Sequence, residues 1–253
     1  MKTIKTTIIV AATCITLGAS SALAAGFGAR SFSNQPHGSW SSASAISQPA
    51  YSELNQQDEE GLLKMREEEK LARDVYIYLY DMWQNEVFSN ISESEQRHMD
   101  SIRSLLDKYG LADPVEGMEP GQFYSPEMQE LYDTLIAQGA TSLEDALIVG
   151  ATIEDLDIKD LEELIEATDN EDIQEVYQNL MKGSRNHLRA FGSQLADMGI
   201  TYEAQFLTQE EVDAIINSDW ERGRVDKDGN QISGPGTNGN RGRGRSLATW
   251  IFF

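Results

Sequence analysis

The sequence predicts an all-α fold in which two antiparallel helical hairpins are joined by one long crossover. Three observations carry that prediction. From about Leu54 to Met198 the chain is dominated by Leu, Met, Glu, Lys and Ala and shows almost no strand-like alternation. Within that stretch, four segments carry apolar residues that step by three and four, the mark of one inward-facing helical stripe. Finally, each stripe is broken by polar residues near its middle, and those breaks sit equally far from two turn signals.

The first stripe runs Leu62, Met65, position 69, Ala72, Tyr76, Leu79 and Trp83, and position 69 is a glutamate. Its neighbours Glu67 and Glu68 fall off the stripe and read as solvated. The second gives Phe88, Ile91, Glu95, His98, Ile102, Leu105 and Tyr109. The third gives Leu143, Leu147, Gly150, Glu154, Asp157, Leu161 and Leu164, and the fourth Ile173, Tyr177, Leu180, Ser184, His187, Phe191 and Leu195. An unpaired charge at such positions would cost several kcal/mol, so four coincident breaks need a common cause.

In a helical hairpin, residues equally far from the turn lie side by side. Glu69 and His98 are centred next to Gln84-Asn85, where an Asn cap closes a tight turn. Glu154 with His187, and Asp157 with Ser184, are centred on "TDNED", Thr168 to Asp172. Each hairpin thus brings its polar residues to one level. Between the hairpins, three prolines and several glycines frame a crossover with a short helix from about Pro126 to Gln138.

Outside the helical region the chain reads differently. Lys2 and Lys5, an apolar stretch to about Ser20 and the triplet Ala22-Leu23-Ala24 make residues 1–24 a secretory signal, implying a secreted or periplasmic protein. Cys14, the one cysteine, lies inside that leader, so no disulfide staples the mature fold. Residues 25–52 are a Ser/Ala/Gly/Gln linker in which His37 is a solvated bystander. Residues 53–199 form the bundle, 200–220 a short helical extension, and 221–253 a mobile Gly/Arg-rich tail. Within that tail "DKDGN", Asp226 to Asn230, reads as a turn, because a calcium loop begun at Asp226 would need an acidic residue where Thr237 stands.

The chain carries 20 basic against 42 acidic residues, a formal net charge of -22. Such a surface concentrates cations and disfavours nucleic acid and anionic lipid, so neither nucleic acid nor a membrane is an expected partner of the mature chain. Phosphate-cradling glycine loops and nucleophile elbows are absent from the helical region.

The stretches "EEEKLARDVY", "SEQRHM", "IEDLDIKDL" and "GSRNHLRAF" together resemble the ferritin-like and rubrerythrin-like superfamily, most closely an uncharacterised branch that is a domain of unknown function, over roughly Glu53 to Gly199. The resemblance implies a ferritin-like four-helix bundle with one carboxylate on the first helix, E-x-x-H on the second, a carboxylate on the third and E-x-x-H on the fourth. Glu69, Glu95, His98, Glu154 and His187 match this pattern. Ser184 departs from it, standing where the fourth helix should offer a glutamate, and Asp157 at the same level is the residue that would compensate. A complete site of this kind holds two iron or manganese ions and reduces oxygen or peroxide by two electrons; homodimers occur by the same analogy. The other reading of these residues is a metal-free, hydrogen-bonded layer that sets helix register, with His98 paired to Glu69 and His187 to Glu154, and function moved to the acidic surface or the tail. Arg73, Arg97, Arg185 and Arg189 flank the layer and would favour this second reading if they paired with its carboxylates.

Overall fold

A computed structural model describes residues 54–232. The leader, the linker with His37, and residues 233–253 lie outside the described residues. Among the described residues the chain forms six helices and no strand beyond one isolated bridge between Val225 and Gln231. They are α1 (Gln56–Trp83), α2 (Glu86–Tyr109), α3 (Pro126–Gly139), α4 (Leu143–Ala167), α5 (Glu171–Asp197) and α6 (Gln209–Ile216). None is long and apolar enough to cross a membrane.

Every helix starts on a side chain that accepts a hydrogen bond from its first-turn backbone: Asn55, Asn85, Ser125, Ser142, Asn170 and Thr208. Each such cap is worth about 1 kcal/mol and fixes where the helix begins. Two of them set the hairpins. Gln84 takes the left-handed conformation that ends α1, and Asn85 at once starts α2. Thr168 leaves the helical region after α4, and Asn170 starts α5. Both turns fall where the spacing of the polar residues placed them. α1 packs on α2 and α4 on α5, while α1 also meets α4 and α2 meets α5.

The stripes face inward as their spacing predicts, and they form two apolar clusters. One contains Tyr76, Leu79, Phe88, Ile91, Leu147, Phe191 and Leu195. The other contains Leu62, Met65, Ile102, Leu105, Leu161, Ile173, Tyr177 and Leu180. The polar breaks lie between them. Tyr76, Phe88 and Phe191 pack with ring centroids 5.4–6.3 Å apart, which closes the first cluster over the polar level. Gly150 permits this, because a Cβ there would stand 2.5 Å from the Phe191 ring.

The crossover is tied to α1 by buried charge. Arg66 donates two bonds to Asp113, at 3.0 and 2.8 Å. Lys70 pairs with Asp74, donates to Glu119 O at 3.1 Å and lies over the Phe123 ring, while Gly121 N donates to Asp74 at 2.8 Å. These pairs hold the crossover against α1 and keep its charges away from the polar level.

After α5 the chain departs from the sequence expectation in two ways. The extension is helical only over α6, and the turn before it is gathered by Asp155, which is fully buried. Tyr202 Oη and the backbone N–H groups of Gln205, Phe206 and Leu207 all donate to this carboxylate, at 2.6–3.2 Å. The tail, expected from 221, is instead ordered to 232. Arg185 and Arg189 donate to Glu221, Asn186 donates to Glu221 O, and Asn179 exchanges two bonds with the backbone of buried Val225. Local composition, Gly-rich and charged, hid a strap whose partners lie on α5. The "DKDGN" turn is confirmed, with Asp226 accepting from the backbone of Asp228 and Asn230.

Candidate metal centre

Five of the six candidate ligands converge between the two apolar clusters. Glu69, Glu95 and His98 form one buried triad, and Glu95, Glu154 and His187 form a second, each with its donor atoms within 4.8 Å of one another. Glu95 belongs to both. Its two oxygens lie 2.8 Å from the Nδ1 atoms of His98 and His187, one each. Glu69 stands 3.2 Å from His98 Nδ1, and Glu154 stands 3.3 Å from His187 Nδ1. The imidazole rings are stacked with centroids 5.5 Å apart. The arrangement is therefore a near-symmetric pair of carboxylate/histidine sets around one shared glutamate.

The symmetry fails at Ser184. Its hydroxyl donates to Asp157 on α4. Asp157 thus sits beside the two triads and belongs to neither. On the other flank, Tyr76 Oη donates to Glu154 at 2.5 Å and orients that carboxylate.

Not every oxygen at this level has a partner. Glu69 Oε1 is buried with no hydrogen-bond partner in the protein, whereas His187 Nδ1 and Glu95 Oε1 lie 2.8 Å apart, at ion-pair distance. A buried polar atom left open costs about 1–3 kcal/mol.

Electrostatics point the same way. Burial raises the Glu69 carboxyl to about 8, against the pull of His98 and with the push of Glu95. Burial likewise raises Glu154 to about 7, with His187 opposing and Glu95 adding. Asp157 is pushed well above the carboxylate range by burial and by the charges of Glu69 and Glu154. Glu95 is the exception, since His187 and His98 outweigh its burial and hold it well below the usual value. Burial would lower both imidazoles, yet Glu69 and Glu95 raise His98 well above its ordinary value, and Glu95 and Glu154 raise His187 to about 9. Four carboxyls face two imidazoles, so without another cation the surplus carboxyls keep their protons. Divalent ions that favour O and N donors can take the place of those protons.

None of the flanking arginines pairs with this layer. Arg73 binds Asp74 and Gln96, Arg97 is exposed, and Arg185 and Arg189 bind Glu221. The surplus acid is left for something else to neutralise. Glu67 and Glu68, expected to be solvated, are half-buried, and Glu68 Oε2 is sealed from solvent without a partner.

Gly183 carries no side chain to mark a stripe, although an isolated glycine inside a helical pattern signals close approach. A Cβ at Gly183 would stand 2.4 Å from His98 Nε2. Alanine favours a helix by about 1 kcal/mol over glycine, but overpacking costs about 1–3 kcal/mol. Because Glu69 and Glu95 hold the ring in place, the overlap wins. Gly183→Ala is expected to destabilise the protein by about 1 kcal/mol in denaturant titration and to displace the His98 imidazole, visible as a shift of its ring resonances.

An all-α protein whose helices close over a buried carboxylate/histidine cluster capable of binding metal is what fold and site define together. Residues 58–219 match the uncharacterized protein domain DUF2202, and the chain belongs to that family. It is 55% identical over 170 residues to the uncharacterized protein MJ0754 of Methanocaldococcus jannaschii, a match spanning 67% of this chain and 92% of the relative. The crystal structure of hypothetical protein MJ0754 from Methanococcus jannaschii DSM 2661 superposes with a TM-score of 0.67 at 52% identity, covering 69% of this chain and all of the other.

Proposed function

We propose that this protein is a ferritin-like four-helix metalloprotein that holds a pair of iron or manganese ions and works as an oxidase or peroxidase. Glu69 and His98 would hold one ion, Glu154 and His187 the other, and Glu95 both. The single observation that supports this best is that Glu95 belongs to two buried triads at once, with one oxygen 2.8 Å from His98 and the other 2.8 Å from His187. The other reading, a metal-free hydrogen-bonded layer of the same residues, leaves Glu69 Oε1 without a partner.

A pair of such ions would supply two-electron reduction of dioxygen or peroxide. The chain's own groups do the rest. Tyr76 fixes the orientation of Glu154, the Tyr76/Phe88/Phe191 cluster keeps water from one side, and Asp157 with Ser184 leaves the opposite flank polar. In the same reading, the leader-like composition of residues 1–24 supports a secreted or periplasmic location.

The test is metal analysis of the purified full chain after anaerobic loading with Fe(II) or Mn(II). About two cations per chain are expected, with His98→Ala and His187→Ala each losing one. A chelator-stripped chain that takes up no cation, and melts at the same temperature with and without it, would overturn the proposal. Consumption of dioxygen or peroxide in step with ferrous oxidation separates a catalyst from a store.

A further inference from the structure

The buried acid of this protein does not end at the two triads. On α1, Asp58, Gly61, Lys64 and Glu68 recur at spacings of three and four and so share one face. On α4, Asp157, Asp160 and Leu164 do the same. The faces meet: a Cβ on Gly61 would touch Leu164 at 2.9 Å, and Lys64 Nζ lies 2.9 Å from Asp160 and 3.5 Å from Glu68. Exposure falls along the seam, from 30% for the Lys64 side chain to 15% for Asp160, 11% for Glu68 and 1% for Glu69. Asp157 then lies one turn beyond Glu154 on α4 and accepts from Ser184.

Three oxygens in this seam are buried without a partner in the protein: Asp58 Oδ1, Tyr177 Oη and Glu68 Oε2. Asp58 and Tyr177 are 6% and 1% exposed, and Tyr177 Oη would lie 3.2 Å from a Cβ on Gly61, so it points at the same α1 face. A row of unsatisfied polar atoms in a polar seam is the signature of ordered water or a passing ion, because neither apolar packing nor a direct bond stabilises it.

We propose that the α1–α4 seam lined by Lys64, Glu68, Asp157 and Asp160 is the hydrated route by which a divalent cation reaches the two triads, with the Lys64 ammonium as its gate. This rests on the cation-binding reading above. Lys64 is a tethered cation at the mouth, 2.9 Å from Asp160 and 3.5 Å from Glu68. An arriving divalent ion outcompetes its single charge, swings the flexible side chain outward, and passes from Asp160 to Glu68 to Asp157. Those three carboxylates do not form a triad of their own tight enough to retain an ion, which suits transit rather than storage.

The probe is Co(II), whose visible absorption changes when nitrogen and carboxylate ligands replace water. Full-length chain is mixed with Co(II) in a stopped-flow instrument, and the final stoichiometry is measured separately by equilibrium titration. Glu68→Gln and Asp160→Asn are each expected to slow loading about tenfold, the scale on which local charge changes ion encounter, with the final stoichiometry unchanged. Lys64→Gln is expected to speed loading, and Lys64→Arg, which keeps the charge, to load at the wild-type rate; loosening of the fold would speed loading in every variant, so it cannot produce the slowing expected of Glu68→Gln and Asp160→Asn. Wild-type loading with all three neutralised variants within twofold of it overturns the route and leaves the site standing. Slowing by all three, Lys64→Gln included, also overturns it. A wild-type chain that binds no Co(II) overturns the site itself, and the route with it.

Discussion

Replacing Glu95 by alanine is expected to abolish cation binding at both positions, whereas Glu69→Ala or Glu154→Ala should remove only one. The asymmetry follows from geometry: Glu95 is the single residue common to the two triads, with one oxygen 2.8 Å from each histidine. In a site with two shared carboxylates, loss of one would leave the other to hold both ions. Here the two triads have only Glu95 in common, so it has no substitute. The same logic sets the thermal consequence. A ligand present at a hundred times its dissociation constant stabilises the folded state by about 2.7 kcal/mol, or roughly 5–11 °C in melting temperature for a fold of this size. Twice that increment, one for each ion, should appear on adding Mn(II) to the wild-type chain, vanish with chelator, halve in Glu69→Ala and be absent in Glu95→Ala. Equilibrium dialysis with calorimetric melting measures both quantities. A Glu95→Ala chain that keeps one tightly held ion would show that Asp157 serves as a ligand, and would move the centre of the site toward α4.

Much of this site was legible because its residues break a periodic pattern. Glu69, Glu95, His98, Glu154, Asp157, Ser184 and His187 interrupt apolar stripes, and a stripe identifies the buried face without coordinates. The antiparallel hairpins then determine level, since Asn85 and Asn170 cap helices beside the midpoints of the facing pairs. What stayed hidden shares no period with the stripes. Glu68 sits off the α1 stripe and is buried only because α4 lies over it, a relation between hairpins that midpoints within one hairpin cannot reveal. Gly183 is invisible to any reading based on side chains, yet the His98 ring needs the space it leaves. The strap at 221–232 has the composition of a tail; its order comes from Arg185, Asn186 and Arg189 on the outer face of α5. Those arginines looked like counter-ions for the central layer. Helical geometry points them the other way, because His187 faces inward and its neighbours two residues on either side cannot face inward with it.

Asp155 is the largest structural debt outside the centre, and Asp155→Ala is expected to cost about 3–5 kcal/mol. The side chain is fully buried on α4 and accepts from Tyr202 Oη at 2.9 Å and from the N–H groups of Gln205, Phe206 and Leu207 at 2.6, 3.2 and 2.8 Å. Bonds to a charged acceptor are worth about 1.5–3 kcal/mol apiece, and removing the acceptor leaves buried donors unpaired; the total is less than four such terms because the turn can loosen and rehydrate. Loosening has a predictable extent. The turn leads directly into α6, whose Val212 is buried and whose Ile216 fills the space over Gly192 on α5, so release of 202–207 should expose the α5 face beneath α6 as well. Amide hydrogen exchange should therefore accelerate across 202–216 while α1 and α2 remain protected. Asp155→Asn separates charge and acceptor capacity from shape: the amide is isosteric, but it offers one acceptor oxygen in place of two and turns an NH2 group toward donors. With its oxygen where Tyr202, Gln205 and Phe206 donate, it keeps three of the four bonds and sets the NH2 group against the Leu207 N–H, so it should lose about half as much stability as alanine. An asparagine variant as stable as wild type would show that volume, rather than the anionic acceptor, holds the turn against α4.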